Sequence, residues 1–140
     1  MSKALIIYHS KRGTTKKFSN EIAEFYKQNG IQTKVIPVND FKPSLLEGVD
    51  HLLLGCWTQG HLIFNQHPAK EWVDFAGKLP VIFDKKIVLF TTYKVATGSM
   101  FRKMKEQLVF DSNCLKLELK SRNGRLNSLN TELLKNTITL

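Results

Sequence analysis

Apolar, strand-like runs alternate with amphipathic, helix-like segments along all 140 residues, and this alternation constrains the fold more than any other feature. Residues 3–8, 32–37, 51–55, 86–92 and 114–119 read as five strands. The first, Ala4-Leu5-Ile6-Ile7-Tyr8, is apolar without interruption, the pattern of a strand covered on both faces. Residues 15–28 place Phe18, Ile22, Phe25 and Tyr26 on one side of a helix that Asn29-Gly30 stops. Pro68 is expected to open a helix running to about Leu79, with Trp72, Phe75 and Ala76 inward. Further helices are expected over 99–108 and roughly 129–136, with at most a short one within 40–47. Such alternation predicts a parallel sheet with helices on both faces.

Five strand–helix units in 140 residues match a five-stranded parallel sheet of order 2-1-3-4-5 inside a three-layer α/β/α sandwich. Ligands of such sheets bind outside the carboxyl ends of the strands that flank the switch point. The loops after the first, third and fourth strands, residues 9–15, 56–67 and 91–99, are therefore expected to converge. No linker, repeat or low-complexity tract interrupts the chain, so residues 1–140 read as one domain.

The first of these loops, Ser10-Lys11-Arg12-Gly13-Thr14-Thr15, joins a strand to a helix. It offers hydroxyl donors, a glycine that lets the backbone approach closely, and the orphan N–H groups of a helix start, the complement of a terminal phosphate. A hydroxyl-rich turn that merely caps a helix has a similar composition. Cys56-Trp57-Thr58-Gln59-Gly60-His61 opens the second loop, and Thr91-Thr92-Tyr93-Lys94-Val95-Ala96-Thr97-Gly98-Ser99 forms the third. Trp57 and Tyr93 are thus expected to face each other and sandwich a flat heterocycle whose edge the backbone reads.

The segment Tyr8-His9-Ser10-Lys11-Arg12-Gly13-Thr14-Thr15-Lys16-Lys17-Phe18 resembles the FMN-phosphate motif of the flavodoxin family: Ser/Thr, two residues, Gly, any residue, Thr. Leu54-Gly55-Cys56-Trp57-Thr58 and Leu89-Phe90-Thr91-Thr92-Tyr93 resemble that family's two isoalloxazine-contacting loops. The resemblance spans essentially the whole chain and implies a flavodoxin-like fold with non-covalent FMN. It implies that Ser10, Arg12, Gly13, Thr14 and Thr15 hold the phosphate, with Lys11 in the same loop. Trp57, Thr58, Gln59, Gly60, Thr92, Tyr93 and Lys94 are implied around the ring system, and Cys56, Thr91 and Gly98 complete the expected set. The implied function is electron transfer between a reductase and a redox acceptor. Two alternatives stand beside it: an FMN-dependent oxidoreductase acting directly on a small substrate, in the manner of protoporphyrinogen oxidase or a quinone reductase, and a cofactor-free interaction module.

The charge departs from the family pattern, whose carriers are typically acidic. Here 21 Lys and Arg face 12 Asp and Glu, a net charge of +9. This excess is spread along the chain, and it suits acidic redox partners or contact with an anionic membrane surface. Zinc-finger spacing and aromatic–basic RNA motifs are absent, so no specific nucleic acid is expected. None of the acidic residues falls in the three loops, whereas Lys11, Arg12 and Lys94 do. A cationic rim favours electron density on a flavin, so a less negative potential is expected for its full reduction. No apolar run approaches the ~20 residues that span a bilayer. Cys56 and Cys114 form no paired motif and are expected to be reduced, inert thiols in the cytoplasm. The spacing of Cys56, His61 and His67 suits no metal site.

Overall fold

Alternate side chains of the first strand, β1 (Lys3–His9), feed two separate cores. Leu5 and Ile7 point to one face, and Ala4, Ile6 and Tyr8 point to the other, as the two-residue period of a strand requires. A computed structural model describes residues 2–61 and 64–139, without the side chain of His61. β1 pairs in parallel with β2 (Gln32–Pro37) on one side and β3 (His51–His61) on the other. A short strand, β4 (Phe64–Pro68), lies antiparallel on the end of β3. β5 (Lys86–Thr92) and then β6 (Leu115–Ser121) continue the parallel sheet. The order is β2-β1-β3-β5-β6 with β4 off this path, so the five parallel strands lie in the expected sequence.

Register carries an apolar line across the sheet: Val35, Ile6, Leu53, Val88 and Leu117 are successive neighbours. On their face pack α1 (Thr14–Gln28), through Phe18, Ile22 and Tyr26, and α4 (Ser128–Thr139), through Leu134. The opposite face receives Trp72 and Phe75 from α2 (Lys70–Ala76) and Met100 and Met104 from α3 (Met100–Glu106). The middle of β3 and β5 is consequently hidden, with Leu52, Leu53, Leu54, Ile87, Val88 and Leu89 all at 0% exposure. Each such side chain contributes roughly 1.5–3 kcal/mol by leaving water, and most of the sheet's stability comes from this double burial.

Several expected boundaries shift. Residues 56–67, read as a loop, are instead largely strand: β3 runs on to His61 and folds back as β4, pairing Thr58 with Pro68 and Gln59 with His67. Its polar residues and Gly60 conceal the strand because the extension leaves the core and gains its hydrogen bonds from its own hairpin. Leu62 and Ile63, and the side chain of His61, lie outside the described residues. Pro68 ends β4 rather than opening a helix, and α2 starts at Lys70 and stops at Ala76, short of Leu79. The helix expected over 99–108 closes at Glu106, where Gln107 and Leu108 N–H groups turn back to Met104 and Lys105. Residues 40–47 form no α-helix; two single 3₁₀ turns, Val38–Asp40 and Pro43–Leu46, occupy the connection. Another 3₁₀ turn, Ser112–Cys114, delays the last strand to Leu115, and α4 extends to Thr139.

Candidate functional site

The phosphate-like loop is held open from within. Gly13 takes a φ of +95°, a left-handed conformation that glycine adopts without steric cost, and its N–H donates to Ser10 Oγ at 3.0 Å. α1 then starts with no side-chain cap and no acidic residue in its first turn, so its leading N–H groups are left for an external acceptor. Thr14 is half-buried, while Thr15 turns inward. Lys11 and Arg12 are exposed.

Two threonine pairs tie this loop to the ends of β3 and β5. Thr15 Oγ1 and Thr92 Oγ1 lie 2.6 Å apart in the interior, and Thr58 Oγ1 and Thr91 Oγ1 lie 2.7 Å apart. Thr91 also donates to the Cys56 carbonyl at 2.7 Å. Hydroxyl pairs thus tie β5 to the start of α1 and to β3. A cavity of about 430 Å³ opens beside them, within the range of small-molecule sites.

Most of the expected residues line that cavity. Ser10, Lys11, Arg12, Thr14 and Thr15 come from the first loop, Trp57, Thr58, Gln59 and Gly60 from the extension of β3, and Thr92, Tyr93 and Lys94 from the end of β5. Four do not line it. Gly13 instead borders a separate depression with Lys16, Lys17, Asn20 and Glu21, its part being to shape the turn. Cys56 is wholly buried on the far side of β3, where Sγ accepts from Ala69 N–H at 3.4 Å and burial pushes its thiol pKa up to about 12. Thr91 is buried and acts through its hydrogen bonds. Gly98 packs behind the wall: a Cβ there would come within 2.5 Å of Gln66 Oε1, at a φ of +49°.

Gln66, Val95, Ala96 and Arg122 also line the cavity, and none belonged to the expected set. Gln66 sits on β4, whose backbone is strapped to the third loop by Ser99 Oγ donating to Gln66 O at 2.9 Å. Lys103 Nζ donates to Asn65 Oδ1 at 2.8 Å and ties the same hairpin to α3. Arg122 follows β6 and donates to Val95 O at 3.4 Å. Alternation along β6 buries Leu119 and Ser121 and leaves Lys120 and Arg122 on the same side, a pattern that the sequence itself displays.

Both aromatic rings at the mouth carry cations. Lys11 Nζ lies 4.9 Å from the Trp57 ring centroid. Lys120 Nζ and the Arg122 guanidinium lie 5.9 and 5.5 Å from that of Tyr93. His9, next to Ser10, meets Glu71 of α2 at 2.9 Å. Hydroxyls, an uncapped helix start, Arg12 and two aromatic side chains together form a donor set that fits a phosphorylated, planar heterocycle such as FMN.

Comparison with known proteins agrees with this geometry. The family model described as "Flavodoxin domain" matches residues 5–114. A flavodoxin from Clostridium beijerinckii is 27% identical over 103 residues, covering 74% of this chain and 73% of that protein. Among solved structures, the two-electron reduced flavodoxin of Megasphaera elsdenii superposes with a TM-score of 0.73 at 20% identity, covering 98% of this chain and 99% of the other. Oxidised Flavodoxin 1 from Bacillus cereus gives 0.67 at 21% identity, covering 98% and 95%. At these identities the structural matches bear on the fold alone.

Proposed function

This chain belongs to the flavodoxin family of FMN-binding electron-transfer proteins, and from that premise we propose that it carries electrons between a reductase and a redox acceptor. The observation that carries this reading is the cavity where the uncapped start of α1 meets the ends of β3 and β5. Its residues divide the work by chemistry. The hydroxyls of Ser10 and Thr14, the first N–H groups of α1 and Arg12 suit the phosphate, where a guanidinium can offer two parallel donors. Trp57 and Tyr93 suit the flat ring system, with Thr58, Gln59, Gly60, Thr92 and Lys94 around its edge. Bound FMN supplies the redox chemistry, and the protein supplies grip, orientation and field.

The proposal treats residues 1–140 as one domain. Its partners are redox proteins, and a net charge of +9 favours acidic ones. Cys56 and Cys114 are free and buried, which suits the reducing cytoplasm, the compartment we assign. Among the described residues, no helix is long and apolar enough to cross a membrane.

Spectra of the flavin during reduction test the carrier reading. The holoprotein is expected to be reduced by a pyridine-nucleotide-dependent flavoprotein reductase. Without another redox protein it is expected not to turn over quinones or porphyrinogens. Rapid turnover of either by the isolated holoprotein would replace the carrier with an enzyme.

A further inference from the structure

We propose that the cavity mouth is a docking surface for a redox protein with a carboxylate-rich face, gripped by Lys11, Arg12, Lys94, Lys120 and Arg122. The proposal rests on the carrier reading and adds where the partner binds and what chemistry it presents.

Among the described residues, no Asp or Glu lines this cavity, whereas Lys11, Arg12, Lys94 and Arg122 do. All five cations are exposed, and among the described residues none has a carboxylate within ion-pairing distance. Four cations elsewhere do have one, Lys70 with Asp74, Lys85 with Asp84, Arg102 with Glu106 and Lys105 with Glu118. A phosphate inside the cavity brings about two negative charges, fewer than the cations around it. The mouth therefore keeps a positive field after the cofactor is seated.

Three of the cations are also positioned in advance. Lys11 rests over Trp57, and Lys120 and Arg122 over Tyr93. Arg122 is held further by the Val95 carbonyl. Side chains already ordered lose less freedom when a partner arrives, so more of their attraction survives as affinity. Val95, which lines the cavity and is 48% exposed, adds apolar surface to the charged ring. Apolar centre and polar rim are the anatomy of a protein interface. A protein is favoured over lipid because the carrier reading requires a partner that brings its own redox group up to this opening, and charge complementarity selects a carboxylate-rich one.

The test measures binding of a fluorescently labelled acidic plant-type ferredoxin to the FMN-loaded protein by anisotropy, with a basic c-type cytochrome as the control probe. Ferredoxin is expected to bind and to weaken as salt rises, and the cytochrome is expected not to bind. Lys94→Glu, Lys120→Glu and Arg122→Glu should each weaken ferredoxin roughly three- to tenfold at low salt, and the milder Lys94→Gln less. Lys78→Glu, beyond α2, should leave it unchanged. Salt-independent binding, or reversals without effect, overturns the proposal. So does a preference for phosphatidylserine vesicles that the same reversals abolish while ferredoxin affinity stays put. Protein that takes up no FMN but still binds ferredoxin in this charge-dependent way would sink the cofactor reading and leave the docking surface standing.

Discussion

The hydroxyls of Thr15 and Thr92 meet at 2.6 Å in the interior, joining positions 77 residues apart. One stands in the first turn of α1 and the other ends β5, so this bond fixes the phosphate-like loop against the sheet. Replacing either threonine with valine keeps the shape and strands the other hydroxyl in a dry site. Thr15→Val or Thr92→Val should cost about 1–3 kcal/mol of stability, read from urea denaturation. The double variant should lose less than the sum, because it leaves no orphan.

Gly98 supports the cavity from behind. Its φ of +49° disfavours any residue that carries a Cβ, and a Cβ there would come within 2.5 Å of Gln66 Oε1 and displace that side chain. Gly98→Ala is expected to destabilise by about 1–3 kcal/mol and, by pushing Gln66 into the cavity, to weaken FMN binding as well. Thermal unfolding and a flavin titration measure the two effects. A variant as stable as the parent would contradict the packing described here.

His51 makes stability depend on pH. Its imidazole is 3% exposed and stands edge-on to Tyr26, with ring centroids 5.6 Å apart, and Nδ1 has no partner among the described residues. Burial, reinforced by the Lys86 ammonium and opposed by Asp50, holds its pKa below the ordinary histidine value. The folded protein thus resists a proton that the unfolded chain accepts. Stability from this group is complete above the unfolded value of about pH 6.5 and is lost progressively as pH falls from there through the lowered folded pKa. Denaturation midpoints at pH 8, 7, 6 and 5 should fall over the lower part of that series. His51→Phe should flatten the decline even if it shifts every midpoint.

The cationic rim should be visible in the flavin's energetics. Lys11, Arg12, Lys94 and Arg122 line the cavity without a carboxylate among its lining residues, so added electron density meets attraction. Lys94→Gln and Arg122→Gln are expected to make the potential for full reduction more negative, and Lys78→Gln to leave it alone. Spectroelectrochemical titration decides the matter. Equal potentials in all four proteins would remove the rim from the account.

Much of this was legible where burial dictates residue type. β2 and β5 begin and end where their sequence patterns do, because Gly30 and Pro37 bound the first and continuous burial marks the second. The phosphate-like loop, Trp57 and Tyr93 were legible because the sheet's switch point names which strand ends meet. The β3–β4 hairpin was hidden because its residues are chosen for the cavity and for each other, so no apolar alternation announces it. Arg122 was missed for a topological reason: it follows β6, outside the three loops beside the switch point, and reaches the site only by lying across Tyr93. Cys56 does not line the cavity because adjacent strand residues face opposite ways, and Trp57 takes the cavity side.

The central claim is that this cavity grips a flavin by its phosphate. Its most direct test is to titrate flavin-free protein with FMN and with riboflavin, following the quenching of flavin fluorescence. Two charge-assisted hydrogen bonds at about 1.5–3 kcal/mol each predict that FMN binds on the order of a hundredfold more tightly or better. Equal affinity for the two flavins, or no quenching by either, would contradict it.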